Sequence, residues 1–261
     1  MLRASRTLPA RKTRRVPPLP KTGNLLLESL PRAEFARLLP HLRPYKTKLA
    51  EELHCRSDSD PDVFFPVSSV SSLLVHGLDG SEVEVATVGR EGVVGLPVFI
   101  GSEAVVFEAI TQVPGDGLRL PRTILVRELR RKCIFAERFA EYTEALLLSV
   151  GQACLCSRMH TPVQRCARWF LSIADRSSKE EFSLTQQFLS WMMGVRRATV
   201  TLVARELQRR KLIDYRRGRV RVVDRKGLEE AACDCYAHVR AEFEVLLRRW
   251  RRDSRRTDSS D

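Results

Sequence analysis

Residues 183–224 constrain the fold of this 261-residue chain more than any other stretch, because two helices, a tight turn and a hairpin follow one another there with nothing to spare. Ser183-Leu184-Thr185-Gln186 supplies helix-start residues, with Ser183 and Gln186 at capping-box spacing. Phe188, Leu189 and Met192 then form the inner face of a short helix. Gly194 ends it, as a residue that can take positive φ at a tight helix–helix turn. A second helix is expected from about Arg196 to Arg210, with Val200, Val203, Ala204 and Leu207 as its inner stripe. Leu212–Tyr215 and Val220–Val223 read as two strands around the turn Arg216-Arg217-Gly218-Arg219.

The charge supports a specific use of that stretch. The formal net charge is +13, which suggests a polyanionic partner. It is unevenly placed: residues 162–224 carry 14 basic and 6 acidic side chains, whereas residues 24–161 carry 15 and 18. The outer face of the second helix presents Arg197, Ala198, Thr201, Leu202, Arg205, Gln208 and Arg209. Helix, glycine turn and helix with a basic outer face is the helix-turn-helix pattern, whose second helix lies in the DNA major groove with its N-terminal residues at base edges. Arg196, Arg197, Thr199 and Thr201 are then candidate base readers, since Arg pairs bidentately with guanine and the Thr methyl meets thymine. Thr185, Ala198, Leu202 and Arg205 complete the candidate DNA face, and Arg216, Arg217 and Arg219 at the hairpin tip suit phosphate contacts. The competing reading is a solvated amphipathic helix followed by an ordinary hairpin. The turn glycine, the arginine-tipped wing and the local charge of +8 together favour DNA.

The front of the chain reads differently. Residues 1–23 are rich in Arg, Lys and Pro and are expected to be a disordered basic tail. Leu73–His76 and Val83–Val88 flank Asp79-Gly80, a hairpin signal, and Ala104–Val113 closes at Pro114-Gly115. A compact antiparallel roll or barrel is expected. Phe135, Phe139, Tyr142, Leu146, Val150 and Ala153 then recur at helical spacing. That stripe serves either as a dimer seam or as the inner face of a long intradomain helix. Thr161-Pro162 restarts the chain as N-cap and first helical residue, with Val163, Cys166, Trp169, Phe170 and Ile173 as the next stripe. No run of apolar residues is long enough for a transmembrane helix, and the N-terminus lacks the apolar core of a secretory signal, so a cytoplasmic protein with no membrane partner is expected.

Residues 162–236 resemble the C-terminal winged helix of the Crp/Fnr regulator family, with Gly194–Val200 (G-V-R-R-A-T-V) matching the turn and the start of the recognition helix. The resemblance extends in order of domains to residues 24–236. It implies an α+β architecture: an N-terminal antiparallel β-roll of cyclic-nucleotide-binding-like type (24–133), a long dimerisation helix (134–161) and a C-terminal winged helix-turn-helix (162–230). A C-terminal helix and basic tail follow (231–261). It further implies a homodimer on a two-fold symmetric, palindromic double-stranded DNA operator, with RNA polymerase as a candidate partner. The effector cassette would be Gly89–Leu96, with Gly92, Val93, Gly95 and Leu96 as a weakly marked pocket. Val93 stands where cyclic-AMP-responsive members carry Glu, and no Arg or Lys lies between Arg90 and Arg119. A buried cyclic phosphate would lack its charge partner, so tight cyclic-AMP binding is not expected and the effector is unknown. Ala198 and Leu202 also replace the Glu and Arg of the cyclic-AMP type, so a different base preference follows.

Iron–sulfur members use an N-terminal cysteine cluster, yet the first 54 residues here contain no cysteine. Cys154-x-Cys156 and Cys233-x-Cys235 fall on helical sequence, where neighbours two apart face different ways. With Cys55, Cys133 and Cys166 they read as packing thiols, and no metal site is expected; a thiol redox sensor stays open. His76 and His160 read as structural or surface histidines. No nucleophile elbow, HExxH or P-loop is present, and Glu91 and Glu108 are isolated acids, so no enzymatic activity is expected. The alternative is a cyclic-nucleotide-binding-like signalling module whose winged helix docks a protein.

Overall fold

An apolar run before Asp79-Gly80 and alternation of polar and apolar residues after it give the hairpin that anchors the front half. Strands β4 (Val70–His76) and β5 (Glu82–Val88) pair antiparallel in a computed structural model that describes residues 20–54, 62–95, 107–177 and 179–258. With β2 (Glu52–His54) and β6 (Glu108–Val113) they form a four-stranded sheet in the order β2-β6-β4-β5. A second sheet has the order β1-β7-β3, from Arg43–Lys46, Asp116–Leu120 and Val63–Pro66. Among the described residues every pairing in the two sheets is antiparallel. The expected roll is therefore present, and its core includes Val63, Phe64, Phe65, Leu73, Val88 and Leu120.

Two short helices, α1 (Leu25–Glu28) and α2 (Arg32–Leu38), precede the roll. Of the expected basic tail, residues 1–19 lie outside the described residues. The chain is already docked at Asn24, whose side-chain amide donates to the carbonyls of Pro66 and Gly92 at 2.8 and 2.9 Å.

Helices α3 (Arg122–Leu129) and α4 (Ile134–Met159) follow the roll. Phe135, Phe139, Tyr142 and Leu146 of α4 are buried in the roll's own core. The stripe read from the sequence is thus the intradomain face of the long helix, and a seam with a partner cannot use it. Thr161 begins α5 (Pro162–Ser177) as expected, through reciprocal bonds between Thr161 and Gln164. Cys166, Trp169, Phe170 and Ile173 of α5 seed a second core shared with the back half.

The expected C-terminal helix is present, and it extends through most of the stretch expected to be a basic tail. After α8 (Arg225–Ala231), a long helix α9 (Cys235–Asp258) runs back along α4. Phe243, Leu246 and Trp250 of α9 enter the roll's core, and Trp250 is 1% exposed. Its indole donates to Glu141, while Arg138 of α4 bridges Glu141 and Asp253 at 3.0 and 2.8 Å. Counting arginines conceals this, because the apolar residues of α9 are spaced along one face of an otherwise charged helix.

Trp250→Ala removes the largest fully buried side chain among the described residues and should destabilise the chain by about 3–5 kcal/mol. Urea unfolding checks this; a loss below 1 kcal/mol would show that α9 is not part of the core.

Candidate nucleic-acid interface

Local sequence sets the geometry of the back half. Thr185 rather than Ser183 caps helix α6 (Gln186–Met193), with its hydroxyl accepting from the Phe188 amide at 3.1 Å. Ser183 is instead the last residue of β8 (Glu181–Ser183), a strand the sequence reading did not include. Gly194 closes α6 with φ +58°, the left-handed conformation that glycine adopts without strain. Arg165 of α5 donates to the Met193 carbonyl at 2.6 Å, satisfying an end group of α6. Three residues later helix α7 (Arg197–Arg209) begins, one residue inside each expected end.

The inner stripe of α7 is as expected: Val200, Val203, Ala204 and Leu207 are buried against α5 and α6. The outer face is open. Arg196, Arg197, Ala198 and Arg205 are exposed, Thr199 is half-buried, and Leu202 is 65% exposed. Leu202 is thus an uncovered apolar side chain on an otherwise charged helix face. Thr201 donates within the domain, to Gln186 or to the Arg197 carbonyl, both at 3.2 Å, so it also braces α6 against α7. Arg209 is engaged elsewhere. Its hydrogen bonds to Glu206, at 2.9 and 3.0 Å, hold that carboxyl below its usual range.

The wing is β9 (Ile213–Arg216) and β10 (Arg219–Val222), joined by Arg217 and Gly218, both with positive φ. That two-residue turn sets Arg216 directly opposite Arg219. Like charges facing one another cost stability in a sheet. Each has an acidic neighbour, Asp214 for Arg216 at 2.8 Å and Glu181 of β8 for Arg219 at 3.5 Å. Among the described residues Arg196, Arg197, Arg205 and Arg217 form no ion pair. Arg221 was missed, although alternation with Val220 and Val222 puts it on the same exposed wing face as Arg219. Tyr215 supports the wing by donating to the Leu184 carbonyl at 3.0 Å, and burial raises its phenol to about 12.

The effector cassette is spent on packing. Val93 is fully buried, Val94 bridges Phe64, and a Cβ on Gly92 would collide with the Tyr142 ring. Gly95 takes φ +106°, a conformation that favours glycine. Glu91 pairs with Arg176 of α5 at 2.8 Å. Leu96 lies outside the described residues. His76 pairs with Glu108 at 2.7 Å within the roll, a structural role.

Residues 164–231 match the model of the Crp-like helix-turn-helix domain. That stretch of the chain is a Crp-like helix-turn-helix domain. The described fold is also similar to that of several solved structures. A protein described as a Crp/Fnr-family transcriptional regulator from Eubacterium rectale shares 17% identity, with TM-score 0.61 over 79% of this chain and 96% of that one. FixK2 from Bradyrhizobium japonicum gives 15%, 0.62, 74% and 98%. The c-di-GMP-responsive regulator CLP of Xanthomonas campestris gives 15%, 0.59, 73% and 98%. At such identities these likenesses concern the fold. No curated protein matches the sequence.

Within the Crp-like domain, helix and wing should separate in their effects. Arg217→Ala should lower the log–log salt slope of duplex binding by about 0.9 without altering sequence preference. Arg197→Ala should remove about 1–3 kcal/mol of discrimination at one base pair. Fluorescence anisotropy on matched and single-substituted duplexes at two salt concentrations reads both; identical behaviour of the two variants would refute the division of labour.

Proposed function

We propose that this chain is a dimeric, DNA-binding transcription regulator of the Crp/Fnr type that does not respond to cyclic AMP. The carrying observation is α7, whose outer face is open and whose Arg197 and Arg205 lack acidic partners among the described residues, beside a wing with Arg216 and Arg219 in register. Arg197 reads a base edge from the N-terminal turn of α7; Arg216, Arg217, Arg219 and Arg221 hold the phosphates. RNA polymerase is the protein such a regulator would meet at a promoter, and the cytoplasm is where a bacterial-type regulator finds both. No described helix is long and apolar enough to cross a membrane.

Support for a dimer comes from the side of α4 turned away from the roll and α9. Leu147, Gly151, Leu155 and Met159 follow at steps of four, with Leu147 70% and Met159 73% exposed. No atom outside the helix lies within 4 Å of where a Gly151 side chain would begin, so a second helix could approach closely there. An apolar stripe on a long charged helix is costly in water and is relieved by a second copy. The signal route fits the same frame: Val83 of β5 touches the Gly194 turn, and Trp169 of α5 donates to Glu84 of β5 at 2.9 Å. A change in the roll therefore bears directly on the helix-turn-helix. Cyclic AMP is disfavoured because the cassette has no cationic side chain after Arg90 and its Gly92-Val93 segment fills the core.

Selection of duplexes from a random library tests the reading. An inverted repeat with half-sites about 34 Å apart is expected, and Leu147→Arg should sediment as a monomer and bind it at least tenfold more weakly. Enrichment of no symmetric sequence, with Leu147→Arg still dimeric, would overturn it.

A further inference from the structure

Two pairs of residues 70 and more positions apart converge where α4 ends. Cys156 and His160 are one helical turn apart, so they face the same way at the C-terminal end of α4. Cys233 and Cys235 come from the link between α8 and α9. The expectation for Cys233-x-Cys235 assumed a helix; Cys233 lies in the non-helical stretch before α9, and Cys235 is its first residue. That break in the helix lets both thiols turn toward one point. One ligand atom from each of the four residues lies within 4.8 Å of all the others. Cys156 Sγ and Cys233 Sγ are 3.4 Å apart, as are Cys235 Sγ and His160 Nδ1.

We propose that Cys156, His160, Cys233 and Cys235 form a mononuclear, tetrahedral Cys3His site for a zinc-type divalent cation. Bond lengths of about 2.3 Å to sulfur and about 2.0 Å to nitrogen give tetrahedral edges of about 3.8 Å between sulfurs and about 3.5 Å between sulfur and nitrogen. The two 3.4 Å spacings fall just short of those edges and every other pair lies within 4.8 Å, so adjustments of about an ångström or less close the site. Three thiolates and one imidazole select a borderline-soft cation over magnesium or calcium. On binding, each thiol releases its proton to solvent and the sulfur donates its lone pair; no oxidant or reductant is involved.

The surroundings fit the same assignment. His160 Nδ1 faces the cluster while its Nε2 lies 3.4 Å from Asp234, the carboxylate–histidine arrangement that orients metal-ligating imidazoles. The Gln152 amide donates to Cys235 Sγ at 3.2 Å, a bond that a thiolate strengthens. A trithiolate centre carries one net negative charge, and Arg165 and Arg168 of α5 lie near enough to act on the Cys156 sulfur. All three cysteines are buried, so the site is closed to substrates and is structural in kind.

Its place in the fold gives it a use. His160 caps α4 immediately before the Thr161-Pro162 turn into the DNA-binding domain. The cation would pin the end of the domain at α8–α9 to the end of α4, fixing the angle at which α7 is presented.

Metal content of the full chain, purified under reducing conditions without chelator, tests the proposal by mass spectrometry of the elements. One zinc per chain is expected, retained in Cys133→Ser and lost in Cys156→Ser and Cys233→Ser. Because those last variants could unfold for other reasons, cobalt exchange into the unaltered chain provides a second reading. It should give the ligand-field bands of a tetrahedral centre with sulfur-to-cobalt charge transfer, and metal removal should lower the Tm. A chain with neither zinc nor tetrahedral cobalt would overturn the proposal. So would iron with inorganic sulfide, or a Cys156–Cys233 disulfide in its place.

Discussion

The packing of α4 is the constraint on which the rest of the molecule depends. Its inner face, from Phe135 to Leu146, is consumed by the roll and by Trp250, Leu246 and Phe243 of α9. Its outer face from Leu147 to Met159 is left apolar and uncovered. A helix of 26 residues cannot serve two partners with one stripe, and here the division is made by rotating the second stripe to the far side. The C-terminal turn of the same helix supplies Cys156 and His160 and then hands the chain to α5. Roll and helix-turn-helix domain are thus both positioned from one rod, on which the proposed second copy would dock.

Around that rod the two cores are tied together as well as stacked. Val70, Leu74 and Val113 of the roll's sheet belong to the same buried cluster as the inner residues of α5, α6 and α7. Burial of apolar surface across the boundary, with the Trp169–Glu84 and Arg176–Glu91 contacts, fastens α5 to the roll. The electrostatics follow a complementary logic. Arginines that structure requires, such as Arg138, Arg176 and Arg225, are paired with carboxylates, whereas those at the tip of α7 and at Arg217 form no ion pair among the described residues.

Much of this was legible in the sequence where chemistry is local. Thr161-Pro162, Gly194, the wing turn and the stripe at Val200–Leu207 each need only their near neighbours, and each holds in the structure. What was not legible depends on residues far apart. The Phe135–Leu146 stripe states that a face is buried but not by what, and only the return of α9 answers that. Strand β8 is three residues long and exists because β10 pairs with it. Cys156 and Cys233 gave no sign of one another, since their meeting depends on where α9 begins. The local rule that helical residues two apart diverge failed at Cys233 because the helix had not yet started.

The central claim, that α7 reads DNA through the major groove, is tested most directly by guanine-N7 methylation interference on a selected duplex. Methylation at that position lies in the major groove and touches nothing in the minor groove. The account predicts interference at guanines in both half-sites, about one helical turn apart, with one position in each half-site losing its effect in Arg197→Ala. Binding indifferent to every N7 methyl group, but blocked by methylation of adenine N3 in the minor groove, would contradict it.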